Sequence, residues 1–180
     1  MSPAQRAALY GLFARLLTES PGPALRADLC QPGLGQTLVA IQPALADWLT
    51  SKNDGPVAQE YARLFLLPKG TPPFASAWIE GDSHKVAEQL ATLMHRAMTA
   101  FDMKQTQLQG RLSLDHLGLS FAVLAQVLVH ERPESQALAA HLETQLLGPW
   151  VPRFGQALAD QAQHPLYLAL GEMIVEARRV

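Results

Sequence analysis

The segment 110–131, GRLSLDHLGLSFAVLAQVLVHE, constrains the possible folds of this chain more than any other. Between Leu117 and Val129 the strongly polar residues are Ser120 and Gln126. A helix that is apolar on nearly every side belongs in the interior of a helical bundle. The segment is too short to cross a bilayer as a helix. The sequence therefore predicts one buried central helix with the remaining helices packed around it.

The entrance of this central helix carries several polar residues. Ser113 is predicted to be its N-cap, which places Asp115 in the first turn, where a negative charge interacts favourably with the helix dipole. His116 follows directly in the sequence. We therefore expect an Asp-His pair at the mouth of the most buried helix.

Length and composition indicate a single domain over residues 1–180 and exclude some function classes. The net charge is −2, and no long run of like charges is present, so neither nucleic acid nor an anionic membrane is an expected partner. Cys30 is the single cysteine, which excludes an internal disulfide and suits a reducing compartment. The first residues lack the pattern of a secretory signal, and we expect a cytoplasmic protein without stable membrane insertion.

Hydrophobic periodicity predicts an all-α fold of about eight to ten helices, because no run of β-branched residues alternates with period two. Prolines and glycines mark the breaks between the helices. The predicted helical segments are 3–17, 24–30, a segment after Leu34 interrupted near Pro43 and resuming to Leu49, 56–67, a long amphipathic helix capped by Ser83 and reaching Phe101, the central helix, and helices around 138–146, 149–158 and 165–175. Polar residues 102–109 are expected to connect the long amphipathic helix to the central one.

The segment 68–82, PKGTPPFASAWIEGD, is the longest stretch without a helical pattern. Pro72 and Pro73 fit neither the interior of a helix nor a central strand. The segment nevertheless carries Phe74, Trp78 and Ile79. A loop with such large apolar side chains either packs on the core or offers a surface to a partner.

The residues contain no recognisable catalytic or cofactor-binding pattern. The six histidines do not share the spacing of metal ligands on a helix, and no glycine-rich phosphate-binding loop is present. Ser113, Asp115 and His116 are residue types of a hydrolase triad, but neighbouring side chains on a helix diverge by about 100° and do not face each other. We therefore predict neither a metal nor a cofactor. A helical enzyme or a small-ligand-binding protein remains the alternative.

Two interpretations of the polar pair and of the aromatic residues stay open on residue chemistry alone. Asp115 could serve the helix entrance while His116 bonds a neighbouring carbonyl. The aromatic residues could simply pack in the core. The second interpretation combines an Asp-His pair with a proline-bearing aromatic loop into a groove for an extended or helical peptide. The aromatic residues in question are Tyr61, Phe65, Phe74 and Trp78.

Several motifs resemble the TorD/DmsD/NarJ family of redox-enzyme maturation proteins. The most specific is Leu114-Asp115-His116-Leu117 at the start of an apolar helix. Further matching motifs span nearly the whole chain: Arg6-x-x-x-Tyr10-x-x-Phe13-Ala14, Tyr61-x-x-Leu64-Phe65, Pro72-Pro73 followed by Trp78, and Leu147-x-x-Trp150-x-Pro152-x-Phe154 with Tyr167. The chain departs from the family pattern around the Asp-His pair, where Leu112 and Leu114 replace the usual Glu and Pro.

The resemblance implies an all-helical cytoplasmic chaperone, not an enzyme. Such a chaperone binds the twin-arginine signal peptide of a molybdopterin-containing oxidoreductase and delays export until the cofactor is inserted. The resemblance leaves open which oxidoreductase is the client, and whether the protein is a monomer or a domain-swapped dimer. In the family, the segments that match Phe74, Trp78 and Leu114-Asp115-His116 are associated with peptide recognition.

The chemistry of a twin-arginine signal indicates what its receptor needs. Two fixed positive charges precede an apolar segment, so carboxylates should lie beside a hydrophobic trough. Binding would then combine electrostatic attraction with apolar burial. Together with Tyr61 and His116, the predicted peptide-binding residues are Phe74, Trp78 and Leu114 for the trough and Glu80, Asp82 and Asp115 for the charges.

Overall fold

The structure is a computed structural model that describes residues 1–31, 36, 39–40, 43, 45–80, 82–100, 112–130, 132–148 and 150–177. These residues contain nine α-helices and no β-strand beyond one isolated bridge, which confirms the predicted all-α fold. The helices are α1 (Pro3–Thr18), α2 (Pro23–Leu29), α3 (Leu45–Thr50), α4 (Gly55–Tyr61), α5 (Ser83–Ala100), α6 (Leu117–Val129), α7 (Pro133–Leu142), α8 (Val151–Gln161) and α9 (Pro165–Glu176).

Two of these helices continue into a wider π-helical turn. α4 is followed by Ala62–Leu66, and α7 is followed by Glu143–Leu147. The first turn ends ahead of Pro68, where the sequence predicted the helix to stop. Most of the predicted helical segment between Leu34 and Leu45, and the predicted connection 102–109, lie outside the described residues.

The central position of α6 is confirmed. Its residues from Leu117 to Phe121 are all buried, and it packs most extensively against α1. Phe121 stacks on Tyr10 with ring centroids 5.4 Å apart and lies 5.2 Å from the ring of Phe13. Gly118 permits this close approach, because a methyl group on its Cα would overlap the Cγ2 atom of Thr18.

A second close pair is formed by α8 and α9. A Cβ atom on Gly171 would lie 2.6 Å from the backbone nitrogen of Ala159 and 2.7 Å from the carbonyl oxygen of Gly155. Only a glycine fits at this crossing without moving a helix. Trp150, Phe154 and Tyr167 fill the core around this pair and are at most 1% exposed. Within the described residues, no helix is both long enough and apolar enough to span a bilayer.

The predicted N-cap of α6 is wrong. The helix begins at Leu117 with His116 as its N-cap, so Ser113 and Asp115 both precede it. The reason is a contact from elsewhere in the chain: the amide of Leu117 donates to the carbonyl of Pro73 at 2.8 Å, which keeps His116 extended. A helical first turn at Asp115 is incompatible with that pairing.

The predicted cap of α5 is also wrong, but for a local reason. Ser83 is the first residue of the helix and not its cap. The carboxylate of Asp82 accepts from the amide of His84 at 3.0 Å and occupies the capping position instead.

Candidate functional site at the entrance of the central helix

The loop of residues 74–78, here called the aromatic loop, is attached to the entrance of α6 by backbone pairing. Phe74 and His116 form an antiparallel bridge. The amide of Ala75 donates to the carbonyl of Asp115 at 3.0 Å. The loop contains a short 3₁₀ turn, Ala75–Ala77, and is otherwise irregular. Its position is therefore defined by α6 rather than by secondary structure of its own.

The Asp115 carboxylate strengthens this attachment from the inside. Asp115 is only 4% exposed. One carboxylate oxygen accepts from the Ser76 hydroxyl at 2.7 Å and from the Ser76 amide at 3.3 Å, and the other accepts from the Ser113 hydroxyl. Burial is the largest influence on the pKa of Asp115 and raises it, but these hydrogen bonds together hold the pKa below its ordinary value. The carboxylate is therefore ionised at neutral pH.

His116 caps the central helix through its ring. Its Nδ1 accepts from the amide of Gly118 at 3.0 Å. One interpretation of the sequence expected His116 to bond a neighbouring carbonyl, but this nitrogen is an acceptor and cannot donate to one. Phe74 lies edge-on to the imidazole, with ring centroids 5.0 Å apart at 89°. Burial lowers the pKa of His116 to about 4, against the opposing effect of Asp115. The ring is therefore neutral at neutral pH, as an accepting Nδ1 requires.

The other end of the aromatic loop is attached to α8. The guanidinium of Arg153 donates to the carbonyl of Trp78. The indole of Trp78 donates to the carbonyl of Pro72 at 2.8 Å and lies edge-on to Phe154, with ring centroids 5.8 Å apart. Trp78 itself remains half-buried. The loop is thus fixed at two points while part of its indole still faces solvent.

The remaining predicted site residues lie at different distances from this centre of contacts. Leu114 is half-buried next to Asp115, and Glu80 and Asp82 are exposed in the segment that leaves the loop. Tyr61 instead belongs to a separate aromatic cluster: its ring lies 5.3 Å from that of Phe65, which in turn contacts Tyr167 of α9 at 5.4 Å.

A surface cavity of about 520 Å³ begins where the aromatic loop ends. Its volume suits a few apolar side chains of a ligand. Half-buried Ile79 lies at its border with the loop. Its lining is Ile79, Gln89, Leu90, Thr92, Leu93, Arg96 and Gln145.

Sequence reasoning did not find Ser76 and Arg153. Ser76 is 39 residues from Asp115, and Arg153 is 75 residues from Trp78. Neither residue belongs to a local pattern that could announce these contacts. Ser113 was noted as a cap, whereas its hydroxyl donates to Asp115.

A second buried carboxylate lies at the entrance of α9. Glu60 is 5% exposed and accepts two hydrogen bonds from the Arg63 guanidinium, at 2.7 and 2.8 Å. It also accepts from the amides of Gln163 and His164. The Arg63 hydrogen bonds are the largest cause that lowers the pKa of Glu60 to about 2. His164 then caps α9, its Nδ1 accepting from Leu166 at 3.1 Å.

No group of three or more His, Cys, Asp or Glu side chains within the described residues is arranged to hold a metal ion. The site at the α6 entrance also lacks the connectivity of a hydrolase triad. Ser113 donates directly to Asp115, while Nδ1 of His116 is occupied by the Gly118 amide. In a triad the histidine accepts the hydrogen bond from the serine hydroxyl and donates from its other ring nitrogen to the aspartate. Here the Ser113 hydroxyl donates to Asp115 instead.

The all-α fold, with its aromatic loop attached to the Asp-His entrance of α6, agrees with the family that the sequence matches. A sequence model of the family described as Nitrate reductase delta subunit matches residues 29–156. Because this match covers more than half of the chain, the chain belongs to that family, which is the TorD/DmsD/NarJ group that its motifs resemble.

Curated relatives within this group carry a more specific name. The chain is 32% identical over 142 residues to the Tat proofreading chaperone DmsD of Salmonella typhi, and 29% identical over 141 residues to the protein of that name from Salmonella typhimurium. The corresponding protein of Salmonella paratyphi A is 31% identical over 142 residues. Each alignment covers 74% of this chain and 64% of the relative, so the chain matches slightly less than two thirds of the length of these relatives.

Proposed function

We propose that this protein is a cytoplasmic, system-specific chaperone that binds the twin-arginine signal peptide of a molybdopterin-containing oxidoreductase before export. The observation that carries the proposal is the attachment of the aromatic loop to the Asp115-His116 entrance of α6. Family membership and relatives named as Tat proofreading chaperones support it.

The proposed peptide-binding surface combines a charged part and an apolar part. Glu80 and Asp82 are exposed carboxylates that can meet the arginines of a signal peptide. The half-buried side chains of Phe74, Trp78 and Leu114 offer apolar area beside them. The cavity that begins at Ile79 continues this surface, and Ile79, Leu90 and Leu93 in its mixed lining can contact the apolar segment that follows the two arginines. Tyr61 lies in the separate cluster with Phe65 and Tyr167 and is not part of this surface.

Fluorine NMR of 5-fluorotryptophan-labelled protein tests the proposal directly. A synthetic twin-arginine signal peptide should shift the resonance of Trp78, because its indole is half-buried and next to the proposed surface. Trp48 and Trp150 are 4% and 1% exposed and serve as internal controls that should not shift. A Trp78→Phe variant assigns the resonance. If calorimetry confirms binding but the Trp78 resonance does not change, the peptide binds away from the aromatic loop. No binding at all would overturn the proposed function.

A further inference from the structure

We propose that Asp115 is a positioning residue: its carboxylate holds the aromatic loop in the geometry that receives the peptide and does not contact the arginines of the peptide. This inference rests on the proposed function and assigns one residue a role within it. It differs from the expectation from the sequence, in which Asp115 was one of three carboxylates that meet the charges.

Accessibility is the first argument. Asp115 is 4% exposed, whereas Glu80 and Asp82 are exposed. A peptide arginine can pair with a carboxylate only if its guanidinium reaches the oxygens from solvent, and the burial of Asp115 prevents that approach. In Asp115 both oxygens already accept hydrogen bonds, one from Ser113 and the other from Ser76. A peptide arginine would have to displace donors that belong to the folded chain.

The second argument is the place of the contacts along the aromatic loop. Asp115 binds the loop by its backbone carbonyl, at the Ala75 amide, and by its carboxylate, at the Ser76 amide and hydroxyl. These contacts immediately follow Phe74, whose ring packs on His116. The loop is also held at Pro73 by the Leu117 amide and at Trp78 by Arg153, so weakening the Asp115 contacts loosens the segment between these two points. The surface would then be formed only in a fraction of the molecules, which lowers the affinity for any peptide.

The two roles of a carboxylate predict different responses to the charge of the peptide. A residue that contacts arginine matters only when the peptide has arginines, whereas a positioning residue matters for every peptide that uses the loop. Two synthetic signal peptides that differ in having Arg-Arg or Gln-Gln at the paired position separate these cases. The protein variants are Asp115→Asn, Ser76→Ala as an uncharged disruption of the same contact, and Glu80→Gln as the matched removal of an exposed charge.

Calorimetric titration of each protein with each peptide gives the outcome. We expect Asp115→Asn and Ser76→Ala to weaken the binding of both peptides by a similar factor of about ten, the scale of one charge-assisted hydrogen bond. Glu80→Gln should weaken only the binding of the Arg-Arg peptide. A loss in Asp115→Asn that is confined to the Arg-Arg peptide, with Ser76→Ala unchanged, would overturn the positioning role.

Hydrogen exchange of the free protein provides a readout that does not depend on any peptide. In Asp115→Asn the amides of Ala75 and Ser76 should exchange faster than in the wild type, while amides within α8 and α9 should be unchanged. Unchanged exchange at both loop amides would overturn the proposal even if peptide binding fell. If the wild type binds neither peptide, the proposed function fails, and the exchange data still decide whether Asp115 holds the loop.

Discussion

The entrances of α6 and α9 have the same kinds of residue but differ in how the buried carboxylate is paired. Each has a histidine N-cap whose Nδ1 accepts from an amide of the helix, His116 in α6 and His164 in α9. Each also has a buried carboxylate nearby, Asp115 or Glu60. Glu60 is neutralised by Arg63, but within the described residues the hydrogen-bond partners of Asp115 are hydroxyl and amide groups, not a cation.

From this difference we expect the shared local structure to serve mainly stability at α9 and, under the proposed function, recognition at α6. At α9, the carboxylate joins a helix, an arginine and the following backbone into a closed ion-paired unit. At α6, the carboxylate joins the central helix to a loop whose aromatic side chains are still half-exposed. Breaking the α9 arrangement should therefore mainly lower the free energy of unfolding. Breaking the α6 arrangement should mainly lower the affinity for the peptide.

The largest expected effect on stability is that of Glu60→Gln. It removes the charge that pairs with the half-buried Arg63 and weakens the hydrogen bonds donated by the amides of Gln163 and His164, so the free energy of unfolding should fall by about 3 kcal/mol. Urea denaturation at neutral pH measures it. Glu80→Gln is the matched control and should change stability by less than about 0.5 kcal/mol, because Glu80 is exposed. A loss for Glu60→Gln no larger than that of the control would contradict the structural role.

Acidification should separate the two entrances next. The folded pKa of His116 is about 4, below the ordinary 6.5, so its contribution to stability is complete above pH 6.5 and is lost as the pH falls towards 4. Between pH 7 and pH 5 we expect the free energy of unfolding to decrease by about 2 kcal/mol more in the wild type than in His116→Gln. The slope that remains in the variant comes partly from His164, whose pKa is also lowered by burial.

The control for this measurement is Glu60, whose pKa is about 2. Its contribution is complete above about pH 4.5 and is lost only below that value, outside the window used for His116. The same slope between pH 7 and pH 5 in His116→Gln and in the wild type would place its origin elsewhere.

Asp115→Asn should lower the free energy of unfolding less than Glu60→Gln does, by about 1 kcal/mol. Asparagine replaces the charge-assisted hydrogen bonds from Ser76 with weaker neutral ones, and no buried cation is left without its partner. Thermal and urea unfolding of Asp115→Asn beside Glu60→Gln give the comparison. Equal losses in the two variants would mean that both entrances serve mainly the fold.

Much of the fold follows from local patterns in the sequence. The uninterrupted apolar character from Leu117 to Val129 predicts the central helix, and proline and glycine positions predict most helix ends. The beginning of α6 was misplaced, because its N-cap depends on the Pro73 carbonyl from a distant part of the chain. The local signals around Ser113 contain no information about that contact.

The candidate site was only partly predictable for the same reason. Motif resemblance indicated the aromatic loop and the Asp-His pair, which the structure brings together through the Phe74–His116 bridge. It also grouped Tyr61 with them, although the ring of Tyr61 contacts Phe65 near α9. The motifs carry no information about these tertiary contacts, which place Tyr61 in a different aromatic cluster.

The two attachments of the aromatic loop also have a consequence for synthesis of the chain on the ribosome. Ser76 is translated 39 residues before its partner Asp115, and Trp78 is translated 75 residues before Arg153. When only the first half of the chain has left the ribosome, neither Asp115 nor Arg153 is present to hold the loop. Its final shape can form only after α6 and then α8 have emerged, so an unfinished chain cannot present the completed surface.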